Sequence, residues 1–355
     1  MNARGPRKGR GAGGNESGRF ERFAREDCDD GWGILDEEPA RLRTTLEVDS
    51  SRSVISYNES PDVPFDRSIN PYRGCEHGCI YCYARPTHAW LGLSPGLDFE
   101  SRLFYKPDAA AELRSELSRG RYRCAPIALG ANTDAYQPVE RRLEVTRGIV
   151  QVLHDCAHPL IIITKSALVE RDLDLLGPMA ERRLASVAVS ITTLDHDVAR
   201  RMEPRAAAPA RRLRTIERLA AAGIEVTVLV APVIPVLTDA ELETILASAR
   251  EAGAVDARYI FVRLPLEVSG LFREWLERHY PLKAAHVLAR ISDSRDGKDY
   301  VSGFGTRMRG TGHFADLLAR RFALARERLA FPGRGELDCS AFRRPARDER
   351  QLALL

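Results

Sequence analysis

Six segments of strand length, five of them apolar runs and most followed by a helical pattern, recur between residues 66 and 265. This alternation limits the chain to a few architectures. DRSINPYRGC begins the first strand and opens into a cysteine-bearing loop. PIALG (126–130), LIIIT (160–164), SVAVSI (186–191), EVTVLVAPV (225–233) and ARYIFVRL (257–264) supply the others. Helical patterns fall over 108–118, 145–154, 168–179, 209–222 and 239–252, with Leu113 and Leu117 at i,i+4 spacing and Gly223 and Gly253 as stops. Runs that stay apolar without alternating need cover on both faces, as parallel strands in βαβ repeats do. Six units in about 200 residues fall short of a closed eight-unit barrel. The predicted fold is therefore α/β, a partial (β/α)6 TIM-like barrel whose working end is the C-terminal ends of its strands.

The flanks read differently. Residues 1–25 hold seven Lys or Arg, two acids and six glycines, with hardly any apolar side chain. Such a segment cannot bury enough surface to order itself and is predicted to be a disordered basic tail. An irregular stretch around Trp32 leads to residue 50. The resulting division is a tail over 1–50, a barrel over 51–265 and a helical C-terminal extension over 266–355, the last including LFREWLERHY and DLLARRFALARERL. Net charge is only +3, but 48 of the 53 basic residues are Arg. That bias suits bidentate phosphate binding and equally a GC-rich genome. RMRGTGHFAD and AFRRPARDER are the candidates for phosphate or nucleic-acid contact. No run approaches the ~18 apolar residues of a membrane span, and MNARGPRKGRGAGG has no apolar signal core. A cytoplasmic monomer is the expectation.

Seven cysteines are an odd number, so a complete disulfide framework is impossible. In a reducing compartment, clustered cysteines point to metal or redox chemistry. Cys75, Cys79 and Cys82 cluster in NPYRGCEHGCIYCYARPTHAW with three and two residues between them. Gly74 and Gly78 let that loop wrap closely. Three thiolates on one loop can each hold one iron of a cubane cluster and leave the fourth iron open, whereas four would close it. The other reading of the same residues is a zinc site completed by His77 or His88, in a non-catalytic module docking on nucleic acid. Zinc sites usually draw on a second, separate ligand pair, and no such cysteine pair lies downstream. Cys28, Cys124, Cys156 and Cys339 are scattered and unassigned.

The Cys75–Cys79–Cys82 spacing, with aromatic Tyr81 before the third cysteine, resembles the radical S-adenosylmethionine (SAM) superfamily over about residues 66–265. The resemblance implies a [4Fe–4S] cluster on the three cysteines, with SAM chelated at the open iron. Reductive cleavage of SAM then yields a 5′-deoxyadenosyl radical that takes a hydrogen from the substrate. It also implies an electron donor such as flavodoxin or ferredoxin.

INPYRGCEHGCIYCYAR, IITKSALVERDLDLL, SITTLD, EPRAAAPARRL and VLVAPVIPVLTD together resemble the spore photoproduct lyase-like branch, often labelled DNA repair photolyase-like. By that resemblance Tyr81 joins the cofactor site, Lys165 meets the methionine carboxylate, and Ser190 meets the ribose or carboxylate. Where many members place Gly-Gly-Glu for the methionine ammonium, this chain has Asn132, Thr133 and Asp134. Glu203 and Arg205 are further SAM-site candidates or caps, and Val233 and Pro235 fall where adenine contacts lie. Tyr136 and Gln137 are placed at the substrate mouth. The lyase also uses a later cysteine as hydrogen donor near its second strand. Cys124 lies at the opposite end of that strand and Cys339 in the tail, so neither matches. No catalytic side chain is assigned, and the substrate stays open.

Overall fold

The computed structural model describes residues 8–21 and 42–346. Cys28 and Trp32 lie outside the described residues, as does the end of AFRRPARDER. Ten strands are described: β1 (Thr45–Val48), β2 (Ile55–Tyr57), β3 (Arg67–Ile69), β4 (Tyr72–Arg73), β5 (Arg102–Tyr105), β6 (Ile127–Leu129), β7 (Leu160–Thr164), β8 (Ala185–Ser190), β9 (Glu225–Val233) and β10 (Asp256–Phe261). β3, β6, β7, β8, β9 and β10 lie side by side in chain order and all run parallel. β2 adds an antiparallel edge on β3. β3 and β10 do not pair, so the sheet stays open, as six units require.

The strands follow from their side chains. Ile127, Leu129, Ile162, Val187, Val226 and Val228 are buried because helices cover one face and the barrel interior the other. Each such side chain contributes roughly 1.5–3 kcal/mol when withdrawn from water. The covering helices use one apolar stripe. In Val145–Asp155, Val145, Ile149, Val152 and Leu153 face inward. In Pro209–Ala221, proline opens the first turn and Gly223, at φ +76°, follows the end.

Two expected helices begin as tighter turns. Residues Ala167–Asp172 form a 3-10 turn before the α-helix Leu173–Glu181. The turn lets buried Asp172 accept from Arg147, Arg171 and Tyr136. A 3-10 turn, Asp239–Glu241, likewise precedes Leu242–Glu251. Beyond β10, helices Glu267–His279, Pro281–Asp293 and Gly312–Arg328 form the extension. Trp275 seats the first of these by donating from Nε1 to the Arg201 carbonyl at 3.1 Å. No helix among the described residues is long and apolar enough to cross a membrane.

Two features depart from the sequence reading. A small second sheet, β1–β5–β4, stands beside the cysteine loop. The described part of the basic N-terminal segment is also packed rather than loose, with Arg10 and Ala12 buried. The segment has no core of its own; it is held by hydrogen bonds to groups of the barrel. The Glu100 carboxylate accepts from the Gly11 and Ala12 amides, both at 2.9 Å.

Candidate functional site

The cysteine loop leaves β4 directly and lies between Phe99 and the chain after the helix His196–Met202. The Cys75 amide donates to the Phe99 carbonyl at 2.9 Å, and the Ile80 amide to the Met202 carbonyl at 3.0 Å. Gly78 has φ +66°, and a Cβ there would stand 2.7 Å from Glu100 Oε2, so only glycine fits.

Arg85, fully buried, fixes the loop from beneath. Its Nε donates to the Cys79 carbonyl at 2.9 Å and its Nη2 to the Gly78 carbonyl at 3.0 Å. Its Nη1 reaches the Pro95 and Gly96 carbonyls, both at 3.0 Å. The same guanidinium pairs with Glu100. Gln137 closes the other side: its Oε1 accepts from the Glu76 amide at 2.8 Å, and its Nε2 donates to the Gly74 carbonyl at 3.1 Å. Gln137 is thus a loop support, and Tyr136, buried and donating to Asp172, is a core residue. Neither lies at a substrate mouth, because both side chains are spent inside.

Cys75, Cys79 and Cys82 are free thiols. Burial pushes all three upward, and the neighbouring thiols and Asp134 add to this for Cys75. Such thiols stay protonated until a metal displaces the proton. Among the described residues, no three His, Cys, Asp or Glu side chains converge as ligands of a single metal ion. His77 Nδ1 faces Asp134 at 3.3 Å and His88 Nε2 faces the Arg102 carbonyl at 2.9 Å, while three thiols on one pinned loop can each hold a different iron of a polynuclear cluster.

Below the loop lies a buried polar network. Glu203 accepts from Tyr81 Oη, from Thr192 Oγ1 at 2.7 Å and from the Arg212 guanidinium. Arg212 also donates to the Ser190 carbonyl at 3.1 Å. Burial pushes the Glu203 carboxyl up, but the Arg212 and Lys165 cations and the Tyr81 and Arg212 hydrogen bonds outweigh it and hold it at about 2. The Glu203 side chain is a charged anchor; its amide ends the helix His196–Met202 by donating to the Ala199 carbonyl, and the N-cap of the following helix is Ala208. Lys165, at the C-terminal end of β7, donates from Nζ to the Ala231 carbonyl at 3.1 Å and stands 3.9 Å from Glu203 and 5.9 Å from the Tyr81 ring centre. Tyr81, Lys165 and Glu203 thus meet at one place.

The segment after β6 is organised from within. Asn70 Oδ1 accepts from the Asn132 amide at 2.8 Å and the Thr133 amide at 3.4 Å. Thr133 Oγ1 donates to the Tyr72 carbonyl at 2.7 Å. Asp134 accepts from the Tyr136 and Lys165 amides and from Thr164 Oγ1, and its Oδ2 lies 3.3 Å from His77 Nδ1. Burial raises its carboxyl, but His77 and these donors outweigh it and hold it below the usual range. Thr133 and Asp134 therefore tie the second and third strand ends to the cysteine loop. Arg205 pairs with Glu76 at 2.9 Å. Val233 and Pro235 are buried. Arg307 is spent on Asp62 and Ser60, and Arg344 on the carbonyls of Leu117, Arg119 and Tyr122, so neither guanidinium is free for phosphate.

Sequence reasoning missed Asn70, Arg85, Glu100, Thr192 and Arg212. Only Asn70 carried a local signal, as the Asn-Pro step at a strand end.

The profile of the Radical SAM superfamily matches residues 69–249. An uncharacterised protein of Mycobacterium tuberculosis is 41% identical over 221 residues, 62% of this chain and 65% of that one. The chain thus spans slightly under two thirds of that relative's length. An uncharacterised protein of Methanocaldococcus jannaschii is 29% identical over 60% of this chain and 76% of its own. Among solved structures, spore photoproduct lyase complexed with dinucleoside spore photoproduct superposes with a TM-score of 0.57 at 16% identity, covering 81% of this chain and 79% of that one. A mutant of that lyase with AdoMet bound gives 0.55. These likenesses are of fold. The superfamily uses a [4Fe–4S] cluster and SAM, and the donor set on the cysteine loop fits that cluster. The profile covers the cysteine loop and β6 through β9, over half of the chain, and on that ground the chain belongs to the radical SAM superfamily.

Proposed function

We propose that this protein is a radical SAM enzyme with its cluster on Cys75, Cys79 and Cys82 and its SAM site on the adjoining strand ends. When bound, the cluster would supply the electron for reductive cleavage of SAM, and with it radical chemistry on a substrate. The chain's own residues do the rest. Arg85, Gln137 and Gly78 hold the loop in one shape. Lys165 supplies the cation for the methionine carboxylate, and Tyr81 and Ser190 complete the wall on that side. Asn132 would offer a polar group to the methionine ammonium, since Asp134 already accepts from several donors. Buried Glu203 fixes Tyr81 and balances Lys165, so that a ligand carboxylate meets a cation already in place. In this reading residues 51–265 carry the chemistry, 266–355 support it, and a flavodoxin or ferredoxin delivers the electron.

The observation that carries the reading is the set of three free thiols, two buried and one half-buried, on one pinned loop at the open end of six parallel strands. The test is anaerobic reconstitution followed by iron, sulfide and product analysis. Iron with acid-labile sulfide, and 5′-deoxyadenosine formed from SAM under dithionite, are expected. Replacing any of the three cysteines by Ala abolishes both. Stoichiometric zinc without sulfide overturns the reading. Stimulation of SAM cleavage by candidate nucleic acids, proteins or metabolites identifies the substrate.

A further inference from the structure

The end of the barrel opposite the cysteine loop is crossed by residues 333–344, which form an extended strap. The strap meets successive strands near their N-terminal ends. Its Gly333 amide donates to the Val255 carbonyl, before β10, at 2.9 Å. Its Gly335 amide donates to Glu225, the first residue of β9, at 3.0 Å, and Arg334 reaches Ser186 of β8. The Asp338 amide donates to the Arg183 carbonyl, before β8, at 2.9 Å, and the Arg343 amide to the Cys156 carbonyl, before β7, at 2.7 Å. Phe342 packs edge-on against His158 with ring centres 5.2 Å apart and also meets Tyr122.

At the middle of this strap sits Cys339. The Phe342 amide donates to its carbonyl at 3.4 Å and the Phe342 ring lies 5.8 Å from that of Tyr122, which brings the Cys339 thiol near that of Cys124, before β6, so that the two interact electrostatically. Both are free and half-buried. Two cysteines remote in sequence are thus brought together by a segment that is otherwise held by scattered hydrogen bonds. The cluster thiols lie at the other end of the barrel and do not compete for either.

We propose that Cys124 and Cys339 are a redox-modified pair, which oxidation by a low-molecular-weight disulfide joins into a covalent clasp fastening the strap across the base of the barrel. Burial pushes the Cys124 thiol up to about 12, which makes it a slow nucleophile. The Cys339 thiolate attacks one sulfur of the oxidant, forms a mixed disulfide and expels one thiolate. Cys124, as thiolate, then attacks the Cys339 sulfur, closes the protein disulfide and expels the second thiolate. The two protons lost by the cysteines end on the two released thiols. The protein loses two electrons and the small disulfide gains them.

The test uses the full chain equilibrated anaerobically with oxidised glutathione, alkylated, and digested with trypsin without reduction. A cross-linked pair of peptides carrying Cys124 and Cys339 is expected, lighter by two hydrogen atoms than their sum and separated by dithiothreitol. C124S and C339S each lose the cross-link and leave the other cysteine alkylated or glutathionylated. The linked chain also melts several degrees above the reduced chain, and C339S shows no such shift. Separate alkylation or separate glutathione adducts on both cysteines of the wild-type chain, or a link from Cys339 to Cys156, would overturn the pairing. A linked chain with an unchanged Tm would overturn the clasp.

Discussion

Arg85 and Glu100 pair with neither side chain exposed, and together they bind the cysteine loop on one side and the N-terminal segment on the other. Removing one member of a buried pair leaves the other charge uncompensated, at roughly 3–5 kcal/mol. Glu100→Gln should therefore lower the urea midpoint sharply and reduce the iron retained after reconstitution. Wild-type values for both would show that the loop does not depend on the pair.

Gly78→Ala tests the same loop sterically. The left-handed backbone alone costs an ordinary residue about 1–2 kcal/mol, and the new methyl group would press on Glu100. A lower Tm and poorer cluster loading are expected. Gly120→Ala has open space around it and serves as the control.

Glu203 gives the protein an acid-sensitive window. Its carboxyl sits at about 2 in the folded chain, against about 4.3 when unfolded. Because the folded value is the lower one, its contribution is fully present above the unfolded value and is lost as pH falls through the folded one. The difference amounts to roughly 3 kcal/mol. Denaturant titrations between pH 5 and about 2 should show a smaller loss of stability for Glu203→Gln than for the wild type, on a lower baseline. Parallel curves would exclude this role.

Lys165→Met should weaken SAM binding while leaving iron content unchanged. A charge-assisted hydrogen bond is worth about 1.5–3 kcal/mol, so the dissociation constant should rise roughly 10- to 100-fold. Equilibrium dialysis with the reconstituted, unreduced protein measures it. Unaltered affinity would remove Lys165 from the SAM site.

The barrel was legible because its strands and helices announce themselves locally. LIIIT and EVTVLVAPV occupy β7 and β9 to the residue, and the stripe of Val145, Ile149 and Leu153 marks its helix. β4 and β5 have two and four residues, too few for a period to appear. The cysteines were legible because their spacing lies within one loop. The network around Glu203 was not, because Tyr81, Thr192 and Arg212 reach it from separate elements, and a glutamate in an Arg-rich stretch reads as solvated. Cys339 was set aside for the same reason: its neighbour Cys124 is brought to it only by the path of the strap.

The segment Arg10–Gly14 belongs to none of the six repeating units, yet it acts as their keystone. It fills the acceptor sites of Glu100, and a methyl group at Gly11 would collide with the Gly78 carbonyl. The barrel is consequently not an excisable module. A fragment cut to the strands and helices alone would carry all three cysteines but would leave a buried carboxylate without two of its donors, directly beneath the loop that has to stay in shape.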